Sequence, residues 1–334
     1  MSAERIKNKV GRPSLEEILR TLEEEVGLLH EHLGGLPRAV EADHILREIW
    51  LDDVHNSTAI EGNTMTRAQV VALVDRRQTS ASLVETLEVE GYAQAADWVY
   101  RCAAEYEHVP VTVVSEAHRL AVDLAWKIEP PVTRDLPGSW RKSGVTVGAV
   151  KVSSPATIPA ALGEWSESTR DRTSSHPITR AAIHHAWFER IHPFVDGNGR
   201  VGRLLLNFML IQGGYPPAII LKTNRQRYLR ALRMADAGNP NRLAEVIARA
   251  VSHTLSRFLI PNLAGDAKLV PLSALAANSP YSSSYLRLLI SRGQLRAMQD
   301  GRLWLSSRAW LANYVKSRDP RGQRFHGKKR KSRD

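Results

Sequence analysis

The strongest constraint on the fold is a helical apolar repeat that restarts several times along the chain, usually behind a capping signal. Ser14 followed by Glu17 is a capping box, and Leu15, Ile18, Leu19, Leu22, Val26, Leu29 and Leu33 then recur at three- and four-residue spacing until Gly34-Gly35. A second helical stretch runs from about Pro37 to Ile60 and stops at Glu61-Gly62-Asn63, where glycine can take the left-handed conformation that closes a helix. A third starts at Thr66, and residues 82–107 and 112–126 continue the pattern, with Thr112 expected to cap the latter. Helices resume around Pro159 and Pro177, after Gly199, and over about 224–237 and 240–260. A chain patterned in this way folds as an all-α body. Its one break is Pro137 to Pro159, rich in Gly, Ser, Thr and Val. There Val145-Thr146-Val147, Gly148 and Val150-Lys151-Val152 read as a short β-hairpin.

Beyond the polar linker Asn262 to Lys268 a compact pattern follows: a helix over Leu272 to Ala277, a turn at Ser279-Pro280 and a helix near Ser283 to Ser291. Asp300-Gly301 then marks a hairpin between Arg296-Ala297-Met298 and Arg302-Leu303-Trp304, and a last helix, Arg308 to Val315, carries Trp310 and Tyr314. This is the order of a winged helix-turn-helix. In a DNA reader its second helix would enter the major groove, where Ser282, Ser284, Tyr285 and Arg287 form a sparse set of base-reading groups.

The formal net charge of +11 is concentrated at the C-terminus, where Lys316 to Asp334 contain nine basic and two acidic residues. Such a density of like charge predicts a disordered tail over 316–334, suited to weak contact with DNA or an acidic partner. The lone cysteine, Cys102, allows no internal disulfide and reads as a small core residue. The opening residues MSAERIKNKVGRPS hold no apolar run of the signal-peptide kind, and the longest apolar stretch, Leu204 to Ile211, is eight residues broken by Asn207. That is far short of the ~20 residues that cross a bilayer. These features fit a cytoplasmic protein with no membrane span.

The chemistry is concentrated in His192-Pro193-Phe194-Val195-Asp196-Gly197-Asn198-Gly199-Arg200-Val201-Gly202-Arg203. Glycines on both sides of Asn198 let backbone N–H groups converge on an anion, and the apolar run after them starts a helix at the same place. Arg200 and Arg203 are three apart, so they share a helix face and can grip two phosphoryl groups. Asp196 is a hard oxygen ligand suited to Mg²⁺, and His192 can accept a proton near neutral pH. Phe194 reads as a core anchor. Of the two histidines ahead of the segment, His184 and His185, one is expected in the core or behind the site and the other at the surface.

This segment resembles the Fic motif, HPFx(D/E)GNGRxxR, at every defined position. Average residue usage makes a chance match on the order of 10⁻⁹. The resemblance implies a Fic-type helical bundle and transfer of AMP from ATP to a Ser, Thr or Tyr hydroxyl of a protein target. In that reading His192 deprotonates the hydroxyl and Asp196 holds Mg²⁺ on the α and β phosphates. Gly197, Asn198 and Gly199 form the anion hole, Arg200 takes the γ phosphate and Arg203 the β phosphate, with Gly202 between them. Gly214-Tyr215-Pro216-Pro217 and the stretch Arg227 to Leu232 resemble the part of the family that follows the motif, with Tyr228 at the adenine pocket. The hairpin Val145, Thr146, Val147, Gly148 falls where the family has its target-docking flap, which registers the target by strand addition.

Ser57-Thr58-Ala59-Ile60-Glu61-Gly62 is similar to the family's inhibitory pattern, (S/T)xxxE(G/N). Ser57 and Glu61 are four apart and so share one helix face. The resemblance implies that Glu61 pairs with Arg200 and denies it to the γ phosphate. The expected organisation is an N-terminal helical region over 1–108 with the inhibitory helix at about 45–63, a catalytic core over 109–262, the winged helix over 269–315 and the tail. A homodimer is one arrangement that would hold the inhibitory helix closed. Two alternatives stay open: removal of AMP or another phosphoryl transfer on the same fold, and a transcriptional regulator whose helical body senses nucleotide.

Overall fold

A computed structural model describes residues 13–33, 39–146, 152–255, 269–277, 279–300 and 303–318. They fall into two compact units, one up to residue 255 and one from residue 269.

The first unit contains ten α-helices among the described residues. These are α1 (Leu15–Leu33), α2 (Ala39–Ile60), α3 (Arg67–Val74), α4 (Leu83–Glu105), α5 (Val111–Trp126), α6 (Ile158–Ser168), α7 (Pro177–Ile191), α8 (Asn198–Gln212), α9 (Arg225–Asp236) and α10 (Asn241–Thr254). Capping boxes start several of them. Ser14 and Glu17 exchange bonds of 2.7 and 3.2 Å at α1, and Thr66 with Gln69 and Ser82 with Glu85 do the same at α3 and α4. The cap expected at Thr112 is not there: α5 starts at Val111, behind Pro110, whose fixed φ suits the entry to a helix although it offers no capping side chain. α2 ends before Gly62, at φ +116, a conformation that a residue with a Cβ resists.

The core forms where α4, α5, α7 and α8 meet. Val89, Tyr92, Ala95, Ala96 and Val99 of α4 lie against Val114, Ala117 and Ala121 of α5 and Val201, Leu204, Leu205 and Phe208 of α8, nearly all of them fully buried. Cys102 is buried in the same cluster. α8 has α2, α4, α5 and α7 around it, which explains why its sequence lacks a polar face. The buried amide at its middle, Asn207, donates to the Tyr100 hydroxyl (2.9 Å) and accepts from the Ala218 N–H (2.8 Å), so neither polar end is stranded.

Of the expected hairpin, Val145, Thr146 and Val152 are described and carry no strand pairing, while residues 147–151, Val147 and Gly148 among them, lie outside the described residues. The ends of the segment are tied by Arg141, which is 2% exposed. Its guanidinium donates to the carbonyls of Ser143 (2.9 Å) and Ser153 (2.5 Å), and burial lowers its pKa.

The second unit holds β1 (Val270–Pro271), α11 (Leu272–Ala277), α12 (Ser283–Ser291), β2 (Met298–Asp300), β3 (Leu303–Ser306) and α13 (Arg308–Arg318). The strands form an antiparallel sheet in the order β1-β3-β2, with Met298 opposite Leu305 and Asp300 opposite Leu303. Leu272, Leu275, Leu286, Leu289, Leu295, Trp310, Leu311 and Tyr314 are its buried apolar side chains among the described residues. The last helix runs through Lys316 to Arg318, three residues into the expected tail, whose remainder (319–334) lies outside the described residues. No helix among the described residues is long and apolar enough to cross a membrane.

α4 and α5 touch backbone to backbone at Gly91, where a Cβ would come within 2.9 Å of the Leu120 and Ala121 carbonyl oxygens. Gly91→Ala is therefore expected to lower the unfolding free energy by about 1–3 kcal/mol despite alanine's better helix propensity, as read from urea denaturation.

Candidate active site

α7 stops at His192, which takes φ 50° and ψ 62°, a conformation uncommon for a residue with a side chain. The following proline makes continued helix unfavourable there. Three bonds hold the strained residue. Its N–H donates to Phe188 O (3.0 Å), its carbonyl accepts from Arg141 Nε (2.7 Å), and its Nδ1 lies 3.2 Å from Glu189 O. A carbonyl can only accept, so Nδ1 carries the proton and Nε2 is the free basic nitrogen. Burial, reinforced by the Arg141 charge, lowers the imidazole pKa. His192 is thus a neutral base with its acceptor nitrogen defined.

The loop after His192 is closed by Asn198, whose amide oxygen accepts from the Phe194 N–H (3.0 Å) and whose amide nitrogen donates to Phe194 O (2.9 Å). Asn198 therefore shapes the loop with its side chain, and any contribution to an anion hole comes from its backbone. Phe194 is fully buried and stacks on His118 with centroids 3.6 Å apart and planes 5° from parallel. Gly197 caps α8 at φ +80, where a Cβ would also lie 3.1 Å from Val122 Cγ1. No side chain caps α8, so its first N–H groups remain directed at the space above the loop, the electropositive end of a helix dipole.

The arginines divide the charge differently from the expected pairing. Glu61 Oε1 accepts from Arg203 NH2 at 2.7 Å, and Ser57 accepts from the same guanidinium through its hydroxyl (2.7 Å to Nε) and its carbonyl (3.0 Å to NH2). Arg200 instead donates to Asp196 Oδ2 (3.0 Å), with Glu88 3.9 Å away. The expectation that Glu61 pairs with Arg200 is corrected: Glu61 and Ser57 hold Arg203. The reason lies at Gly199, where a Cβ would come 2.5 Å from Glu61 Oε1. The end of α2 crosses α8 over that bare Cα and meets the arginine one turn further along. Burial alone would lower the Arg203 pKa, but the carboxylate of Glu61 raises it, so the cation is locked.

Asp196 is exposed, and its carboxylate receives one bond, from Arg200. Among the described residues no three acidic, His or Cys side chains gather as a metal cage. A single open carboxylate beside a phosphate site fits Mg²⁺, which is commonly bound by one or two carboxylates together with substrate oxygens.

Residues 112–210 match the Fic/DOC family. That match contains the whole segment from His192 to Arg203. It is 30% identical over 247 residues to "Protein adenylyltransferase Fic" of Drosophila melanogaster, a match covering 73% of this chain and 48% of that protein. The chain thus spans about half the length of the curated relatives it matches. Among solved structures it is similar to residues 134–508 of Fic-1 from C. elegans (25% identity, TM-score 0.63, covering 79% of this chain and 74% of that one). A Fic family protein from Desulfovibrio desulfuricans G20 shares the fold over 94% of this chain and 98% of its own (19% identity, TM-score 0.56).

Of the site residues expected from the sequence, His192, Asp196, Gly197, Asn198, Gly199, Arg200 and Arg203 lie together in this Fic loop and helix, with Ser57 and Glu61 against it. Gly202 faces away from the loop: a Cβ there would strike Glu189 Oε1 and lie 3.1 Å from His185 Cε1. Tyr228 is 1% exposed, and its hydroxyl lies 2.7 Å from His185 Nε2, behind the arginine. Neither His184 nor His185 is a surface residue; both are buried.

Two site residues escaped the sequence reading. His118, on α5, accepts the Gly138 N–H at Nδ1 (2.8 Å), which leaves Nε2–H to donate to Asp196 O (3.0 Å). Burial lowers its pKa to about 3, so it stays a neutral brace for the loop. Its only signal is its place among Val114, Ala117, Ala121 and Val122 on the apolar face of a helix. Arg141 is the other, joining the His192 carbonyl to those of Ser143 and Ser153. Asn198→Ala strips Phe194 of both side-chain bonds and should lower stability by about 2 kcal/mol, with a matching loss of urea midpoint.

Proposed function

We propose that the chain is an autoinhibited protein adenylyltransferase. The observation that carries this reading is the placement of a neutral His192, with Nε2 free, beside an uncapped α8 N-terminus and two buried arginines. In the transfer, the target hydroxyl gives its proton to His192 Nε2 as its oxygen bonds to the α phosphorus. The α–β bridging bond breaks, and pyrophosphate leaves. The first N–H groups of α8, with Arg200 and Arg203, receive the phosphate oxygens, and this positioning and neutralisation supply most of the rate. Asp196 would hold Mg²⁺, which neutralises further phosphate charge when bound.

Glu61 keeps the site closed because it occupies Arg203, the arginine that the resemblance assigns to the β phosphate. Nucleotide can still meet the helix end and Arg200, but with Arg203 taken its α phosphorus is not aligned for attack. The protein partner is the hydroxyl-bearing target, registered by the segment around Val145, whose ends Arg141 ties to His192. The second unit reads as a winged helix that docks a protein. Its α12 exposes Leu288 (40%) beside Ser284, Arg287 and Ser291, an apolar point of the kind a protein partner covers. A cytoplasmic setting fits the single, buried cysteine.

Transfer from ATP labelled at the α phosphate tests the reading. Label on protein should be weak in the unaltered chain, at least tenfold stronger in Glu61→Gly and absent in His192→Ala, with none from γ-labelled ATP. Label from the γ position alone would make it a phosphotransferase, and no label from either would favour AMP removal. For the second unit, salt-sensitive retention of one defined DNA sequence would replace protein docking by DNA binding.

A further inference from the structure

Behind Arg203 lies a carboxylate for which the proposed transfer has no role. Glu189, on α7 three residues before His192, has Oε1 fully enclosed and without a hydrogen-bond partner. It occupies the space left by the missing side chain of Gly202, directly preceding Arg203. A buried acceptor left without a donor costs about 1–3 kcal/mol and calls for an explanation.

We propose that Glu189 is a second carboxylate for Arg203, a positioning residue that takes over the guanidinium when Glu61 leaves and gives it up again to phosphate. The inference rests on the proposed function, and the argument is one of charge balance. Arg203 is 3% exposed, and stripping a buried cation of its partner is strongly destabilising, by about 3–5 kcal/mol. When Glu61 and Ser57 withdraw, something must replace them before nucleotide arrives. Asp53 also acts on Arg203, but it sits on α2 with the inhibitory residues, and its carboxylate is engaged by the Tyr92 (3.1 Å) and Tyr100 (2.8 Å) hydroxyls. Glu189 belongs to α7, not to the helix of the inhibitory residues, and its free oxygen lies against Gly202, the residue that precedes Arg203 on α8.

The charges around Glu189 make the exchange reversible. Burial raises its pKa to about 7, Arg203 of α8 opposes that shift, and Glu61 and Asp236 of α9 add to it. His185 on its own helix is held neutral by burial, with a pKa of about 3, and the Tyr228 phenol of α9 is raised far above neutrality. His192, one turn on, is itself lowered. From the other helices packed on α7, Glu245 of α10 is engaged by Arg227, Arg242 and Arg249, Glu167 of α6 faces Arg170, and Glu164 is exposed. With Glu61 in place, Glu189 holds a proton below about pH 7, and Arg203 then has Glu61 as its carboxylate partner. With Glu61 gone, the raising charge is lost, Glu189 ionises, and Arg203 again has one anion. When phosphate arrives, the proton returns.

The sign follows directly. The closed state binds one proton more than the released state, so rising pH releases the brake. The transfer rate of Glu61→Gly divided by that of the unaltered chain measures the brake at each pH and cancels the titration of His192. This ratio should fall by about tenfold per pH unit at most below pH ~7 and level off above it. In the Glu189→Gln background it should be flat. An undiminished slope there overturns the proposal. A second measurement does not need transfer. ADP binding to Glu61→Gly, followed by calorimetry near pH 7 in buffers of different ionisation enthalpy, should take up a fraction of a proton that Glu61→Gly/Glu189→Gln does not. ADP binding with equal uptake in both overturns the role of Glu189 alone. Failure of ADP to bind Glu61→Gly overturns the proposed function as well.

Discussion

The structure turns on one buried cation. Arg203 lies at the centre of the helical unit, on the helix that every core layer touches, and a guanidinium in that position has to be paired. The pairing fixes the arrangement around it. Ser57 and Glu61 meet it from the end of α2, Gly199 has no Cβ so that Glu61 can reach over the helix, and Gly202 has none so that Glu189 can stand behind. Two glycines three residues apart thus open the two sides of a single arginine. The proposed autoinhibition is a question of which anion holds that charge.

The catalytic loop is set by similar constraints on hydrogen bonding. Asn198 closes the turn on Phe194, His118 braces Asp196 from below, and Arg141 fixes the carbonyl of His192. In each case the partner is a backbone group, which can only donate or only accept, and so the protonation of both histidines follows without ambiguity. The same bonds explain why His192 tolerates its left-handed backbone: the strain is spread over a proline, a buried arginine and the end of α7. The result is a base held in one tautomer in front of an open helix terminus.

Much of this was legible in the residues. Helix starts carrying a capping box fall where Ser14, Thr66 and Ser82 indicate them, because that signal is local and self-contained. The cap at Thr112 failed because Pro110, two residues upstream, already fixes the entry to α5. The twelve-residue segment could be read as a phosphate site because its residues act together within one loop and one helix turn. What could not be read was whatever depends on another helix. The choice of Arg203 over Arg200 by Glu61 depends on where α2 crosses α8. The roles of His118 and Arg141 depend on contacts 78 and 51 residues away in sequence. The strands expected over Val145 to Val152 lie largely outside the described residues.

The Glu61–Arg203 contact also has the right strength for a switch. The arginine is buried, but the Glu61 carboxylate is 39% exposed, so water screens one end of the pair. A fully buried pair would be worth much more in place and would leave a larger penalty on opening, and a partner would then have to supply that penalty to release it. Moving a two-state element from almost closed to almost open already requires about 5.5 kcal/mol of preferential binding to the open form. In the proposed switch, screening at Glu61 and a second carboxylate to receive the arginine both lower the cost of opening. It also means that phosphate need not strip Arg203 of its only counter-charge: it meets an arginine whose remaining partner is released by gaining a proton.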